Sequence, residues 1–91
     1  MKLKITSNFD LGLQTLEFKG QVSLREMLHE LKKRVPGDLE FIDSKTDDLD
    51  DFYVVSVNGQ ELPFLSHRLD TELKEGDEVQ VAIVVFGGGD R

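Results

Sequence analysis

Cysteine is absent from the 91 residues. This excludes thiol nucleophiles, iron–sulfur clusters, cysteine-ligated zinc and any disulfide framework. It also suits a reducing cytoplasm, where the protein is expected to reside. Long apolar runs are missing too. The longest spans residues 81–86, far short of the ~20 apolar residues a membrane helix requires. Residues 1–6 offer no apolar core for a signal peptide. A soluble chain with no membrane partner is the expectation. Positive charge is scarce: 11 Lys and Arg against 18 Asp and Glu give a net charge of −7. Such a surface repels phosphate backbones, so nucleic acid is not an expected partner. A basic partner surface would be met faster, although the same charge also serves simply to keep a small domain soluble.

What is present is enough for one small domain with a modest core. Leu3 and Ile5 alternate with Lys2, Lys4 and Thr6, the period of a strand with one buried face. After a turn containing Asn8, Asp10 and Gly12, Leu16 and Phe18 alternate in the same way, which predicts an antiparallel hairpin. Ser23 with Glu26 forms a capping box, and Val22 with Met27 is placed as a hydrophobic staple. Leu24, Leu28, Leu31 and Val35 then make one apolar stripe on a helix, stopped by Pro36-Gly37. Residues 37–51 carry seven acidic residues against the single Lys45. They predict a solvated connection with Leu39, Phe41 and Ile42 tucked inward, and its acidic stretch from Asp43 to Asp51 is expected to be mobile on the nanosecond scale. Residues 52–57 read as a strand that turns at Asn58-Gly59 into a short return strand, residues 60–62. Pro63 limits that strand's pairing. Leu69 and Leu73 suggest a single helical turn. Residues 74–77 launch the last strand, residues 79–86, which is apolar enough to be buried on both faces and therefore central.

This order, strand, strand, helix, strand, short strand, strand, predicts an α+β fold with one helix on one face of a mixed sheet. With the last strand parallel to the first, it is a ubiquitin-like β-grasp. The expected core is Leu3, Ile5, Leu16, Phe18, Leu24, Leu28, Leu31, Val55, Val57, Val81 and Ile83. The domain is expected to occupy residues 1–86, followed by a flexible glycine-rich tail, 87–91.

No catalytic constellation emerges. Ser23 is used as a cap, and His29 and His67 lie in polar stretches without metal-ligand spacing. The acidic segment lacks the residue order of a calcium loop. The triplet Gly87-Gly88-Gly89 follows a strand but precedes no helix, so it is not a phosphate loop. No catalytic residue, metal or bound cofactor is expected. A glycine run directly after the most apolar strand suits either a tail that is threaded into a narrow channel or a frayed terminus of no importance.

Val57-Asn58-Gly59, the segment Leu73-Lys74-Glu75-Gly76-Asp77-Glu78-Val79 and the closing glycines resemble the MoaD/ThiS family of β-grasp sulfur carriers. This group includes the small subunit of molybdopterin synthase and the small archaeal modifier proteins. The resemblance covers the chain in element order and is specific in its second half. It implies that an ATP-using activating enzyme adenylates a terminal glycine carboxylate, which then becomes a thiocarboxylate. That species passes sulfur to a cofactor precursor, as in molybdopterin biosynthesis, or to tRNA; otherwise the activated end is joined to a lysine of a target protein. Such a carrier is a substrate and not an enzyme. ATP belongs to the partner, and the further partners are a sulfur donor and an acceptor protein or enzyme large subunit.

Family spacing places the functional diglycine at Gly87-Gly88, with Gly88 as the activated residue. Residues 89–91 then form an extension for a protease to remove, because a carboxylate at Arg91 would lie roughly 10 Å beyond Gly88. A further departure is Val84-Val85-Phe86, where molybdopterin-synthase subunits tend to carry prolines. Leu62, Phe64 and Phe86 are the expected partner-docking residues. The alternative is a β-grasp interaction module whose tail is never activated, using the same patch. An RNA-binding β-grasp domain is disfavoured by the charge.

Overall fold

The computed structural model describes residues 1–35 and 40–84. Strands β1 (Lys2–Ser7) and β2 (Thr15–Glu17) form the first hairpin, with Leu3 opposite Leu16. Helix α1 (Leu24–Arg34) follows. Strands β3 (Ile42–Asp43) and β4 (Asp48–Leu49) form a small separate hairpin. Strands β5 (Tyr53–Val57), β6 (Gln60–Glu61) and β7 (Glu78–Ile83) complete the main sheet. Its order is β2-β1-β7-β5-β6, with β7 parallel to β1 and antiparallel to β5. This is the mixed five-stranded sheet of a ubiquitin-like β-grasp, with its last strand in the centre. No helix among the described residues is long and apolar enough to cross a membrane.

The helix forms where its caps dictate. Ser23 accepts from the Glu26 N–H at 3.1 Å, and the Glu26 carboxylate accepts from the Ser23 N–H at 2.9 Å. Leu24, Met27, Leu28 and Leu31 are buried. At the other end Val35 is extended, with ψ of 148°, as a residue preceding proline is driven to be. Pro36, Gly37 and Leu39 lie outside the described residues. The helix stripe meets the inward face of the sheet, where Ile5 pairs with Val79 and Val81 with Val55.

Three expectations are corrected. β7 is not buried on both faces: Val79 and Val81 are covered, Glu78 and Gln80 are exposed, and Ala82 and Ile83 are half-buried. Its central place comes from strands on both edges, because a single helical layer covers only one face. Phe18 and Ile83 are half-buried at the margin of the core, while Leu11, Met27, Val35, Phe41, Leu62, Leu69, Leu73 and Val79 join its interior. The acidic connection, read as a loop without regular structure, forms a short hairpin, while Phe41 and Ile42 turn inward as expected. Ile42 and Leu49 pair across β3–β4 and pack against the core. Phe41 is fully buried, its ring edge-on to Tyr53 at 4.9 Å. Several carboxylates there serve the backbone, Asp43 accepting from Lys45 N–H and Asp50 from Phe52 N–H. Arg25 holds the turn from the helix, donating to the Asp47 carbonyl at 2.6 Å.

Candidate functional site at the end of the last strand

The two motifs in the second half of the sequence touch one another. Asn58 and Gly59 adopt φ of 52° and 88°, the paired positive values of a tight hairpin turn. The Asn58 side chain donates to Asp77 Oδ1 at 3.0 Å and accepts from the Glu78 N–H at 2.9 Å. The other Asp77 oxygen accepts from the Lys74 N–H at 2.8 Å. Gly76 turns with φ of 84°, and its N–H bonds the Lys2 carbonyl at 2.9 Å. These residues therefore launch β7 and fix its register. They are scaffold, and they sit at the beginning of this six-residue strand, five steps or roughly 17 Å from its end at ~3.3 Å per residue.

The far end of β7 is the one from which the sequence runs on toward the glycines. There the backbone is held from both sides. Val84 N–H donates to the Phe52 carbonyl at 2.8 Å on the β5 side. On the β1 side, where the last ladder pair is Ser7 with Val81, the Asn8 side chain takes over. Its Oδ1 accepts from Ile83 N–H at 2.9 Å and its Nδ2 donates to the Ile83 carbonyl at 3.1 Å. Phe52 and Val54 are exposed beside this end, by 60% and 37%, and Val54 pairs with Ala82. A cleft of about 350 Å³ adjoins it, lined by Val54, Pro63 and Val84 together with Asp50, Asp51 and Glu61. Tyr53 also lines this cleft. Burial pushes its phenol above the ordinary 10.0, with Asp50 adding to the rise.

Of the residues singled out from sequence, Gly87, Gly88, Gly89 and Phe86 lie outside the described residues. Phe64 is 70% exposed, but it borders the Asn58-Gly59 turn, near the beginning of β7. Leu62 is a correction. It is 3% exposed and part of the core, because the short helical turn Leu62–Phe64 swings it inward against β5. It cannot serve as a docking residue on the surface. His29 and His67 are exposed. Sequence reasoning passed over Phe52, Val54 and Asn8. The alternation of Phe52, Val54 and Ser56 opposite Tyr53, Val55 and Val57 carries the signal for the first two. Nothing local marks Asn8, whose partner is 75 positions away.

Comparison with known proteins places these features in context. The ThiS family model matches residues 8–89. The crystal structure of SAMP1 from Haloferax volcanii superposes with a TM-score of 0.72 at 23% identity, covering 97% of this chain and 100% of that one. A chain of the Amycolatopsis orientalis BexX/CysO complex superposes with a TM-score of 0.65 at 24% identity, covering 92% of this chain and 99% of that one. At these identities the two structures establish the shared fold. No curated protein matches the chain.

Proposed function

The chain belongs to the ThiS family, and from that membership we propose that it is a ubiquitin-like sulfur carrier whose activated residue is Gly88. The observation that carries this reading is the extent of the family match. It runs to residue 89, and so takes in the glycines that follow the central strand of the fold. A carboxylate becomes a usable electrophile only when one oxygen is made a leaving group. An activating enzyme does this by transferring adenylate from ATP, with release of pyrophosphate. A sulfur donor then displaces AMP to leave the thiocarboxylate, and a lysine amine in place of sulfur would join the chain to a protein. The carrier supplies the docking face and the glycines, which let nucleotide and sulfur donor approach the backbone closely. Catalysis belongs to the partner. The crystallised BexX/CysO pair supports a fold that works by docking. Residues after Gly88 must be removed first, because its carbonyl is otherwise locked in an amide.

Docking is assigned to Phe86 together with the exposed Phe52 and Val54, since aromatics at a small interface carry much of its binding energy; Phe64, beside the Asn58-Gly59 turn at the opposite end of β7, stands apart from that face. The experiment is ATP–pyrophosphate exchange with the cognate activating enzyme, followed by intact mass after sulfide transfer. A chain ending at Gly88 is expected to react and to gain the mass of one sulfur for one oxygen; a chain ending at Arg91 is not. A chain ending at Gly89 is expected to be slower, with its carboxylate about 3.5 Å too far along. In the Gly88 form, Phe86→Ala or Phe52→Ala is expected to raise KM ~30-fold, equivalent to about 2 kcal/mol. If every truncation is silent with an enzyme active on its own carrier, the interaction-module reading replaces this one.

A further inference from the structure

We infer that Asn8 is a positioning residue which fixes the end of β7, the strand from which the sequence runs on toward the glycines. β7 outruns β1: the ladder between them ends at Ser7 and Val81, yet β7 continues to Ile83. Val84 bonds toward β5 through the Phe52 carbonyl, while Ile83 turns its N–H and C=O the other way. Without Asn8 both would face solvent. Its amide pairs with both at once, as a strand residue would.

Only a side chain that is donor and acceptor together can do this. A carboxylate of the same shape would accept from the Ile83 N–H, but would set a second acceptor against the Ile83 carbonyl. The arm itself is braced. The Ser7 hydroxyl donates to the Phe9 carbonyl, Asp10 accepts from the Gly12 N–H at 2.9 Å, and Leu11 is buried in the core. The loop between β1 and β2 thus carries a fixed amide to the end of β7.

The consequence for chemistry rests on the carrier reading. Gly88 lies five positions after Ile83 in the sequence, so its carboxylate can reach at most roughly 17 Å from that anchor. If Ile83 were released, the end of β7 would be held from the β5 side alone, through Val84 and the Phe52 carbonyl, and would be free to swing away from β1. An activating enzyme that docks the domain and aligns the carboxylate would then meet a wider distribution of end positions. Docking contacts would be unchanged, so the loss should fall on kcat and not on KM.

The test uses Asn8→Ala and Asn8→Asp in the whole chain and in the form ending at Gly88. In Asn8→Ala, amide hydrogen exchange by NMR is expected to quicken about tenfold at Ile83, as for one lost hydrogen bond; in Asn8→Asp, which keeps the acceptor but faces the Ile83 carbonyl with a second one, the quickening is smaller. Val79 and Val81 should keep their protection. With the activating enzyme, kcat for ATP–pyrophosphate exchange is expected to fall ~10-fold at unchanged KM, and Asn8→Asp should be no better than Asn8→Ala. Unchanged Ile83 exchange in both variants overturns the inference, as does equal kcat in a carrier whose parent form is active. If the parent ending at Gly88 is itself silent, the carrier reading fails, and Ile83 exchange alone decides whether Asn8 holds the strand end.

Discussion

Tyr53 stands half-buried between the fully buried Phe41 and the carboxylate of Asp50. Both surroundings penalise the phenolate, burial first and Asp50 second, so the folded-state pKa lies above the ordinary 10.0. The sign follows from proton counting. Above pH ~10 the unfolded chain loses the proton before the folded one does, so stability is fully present below that pH and declines as pH rises through the folded pKa. Tyr53→Phe should leave the melting temperature at neutral pH nearly unchanged and flatten its fall between pH 9 and 11, a range set by the usual ~10 of tyrosine. An equally steep alkaline decline in the variant would remove Tyr53 from the explanation. Residue by residue, what the sequence makes legible is whatever depends on near neighbours. Ser23 and Glu26 announce their reciprocal bonds because they stand three apart, and Asn58-Gly59 announces its turn by composition. Asn8 cannot be recognised that way, since its role is defined by Ile83 at the other end of the chain. Leu62 misleads for a related reason: its apolarity suits a patch or a core equally, and only the turn after β6 decides between them.

The least legible element is the β3–β4 hairpin. Its aspartates mark it as a solvated connection, and although Phe41 and Ile42 are apolar enough to turn inward, nothing in the composition announces a paired hairpin. Phe41, Ile42 and Leu49 outweigh the aspartates by packing on the core, while Asp47 and Asp48 are drawn in by Arg25 and Arg68. Exposed ion pairs of this kind contribute little, typically 0–1 kcal/mol, whereas removing a buried aromatic costs about 3–5 kcal/mol. The hairpin is therefore attached mainly by Phe41. Phe41→Ala should lower unfolding free energy in denaturant by about 3 kcal/mol or more, and Arg25→Ala by under about 1 kcal/mol. The reverse ranking would mean that charge, not packing, secures this element. β7 was legible in place and direction but not in burial. A continuous apolar run marks a strand as central without saying whether one face or two is covered, and here the uncovered face carries exposed Glu78 and Gln80 and takes in half-buried Ala82.

At the scale of the whole molecule the fold is legible because each element can satisfy its apolar face in only one arrangement. One helix stripe covers one sheet face, and a last strand more apolar than the rest belongs in the middle. The candidate site is less so: its glycines can be read from sequence, but the anchoring that precedes them is long-range. The parallel pairing of β1 with β7 has a mechanical consequence. The two strands lie side by side and point the same way, so the chain's start and the end of β7 emerge from opposite ends of one ladder. A partner that grips the tail and draws it inward pulls β7 along its own axis, past β1 and β5 together. Every rung resists such shear at once, whereas peeling a hairpin breaks rungs singly. Force applied between Met1 and Val84 should therefore unfold the domain at a markedly higher load than force applied across the ends of the β1–β2 hairpin. Similar loads in single-molecule stretching would show that the ladder does not bear the strain. A domain built this way can be tugged by the end of β7 and keep its shape.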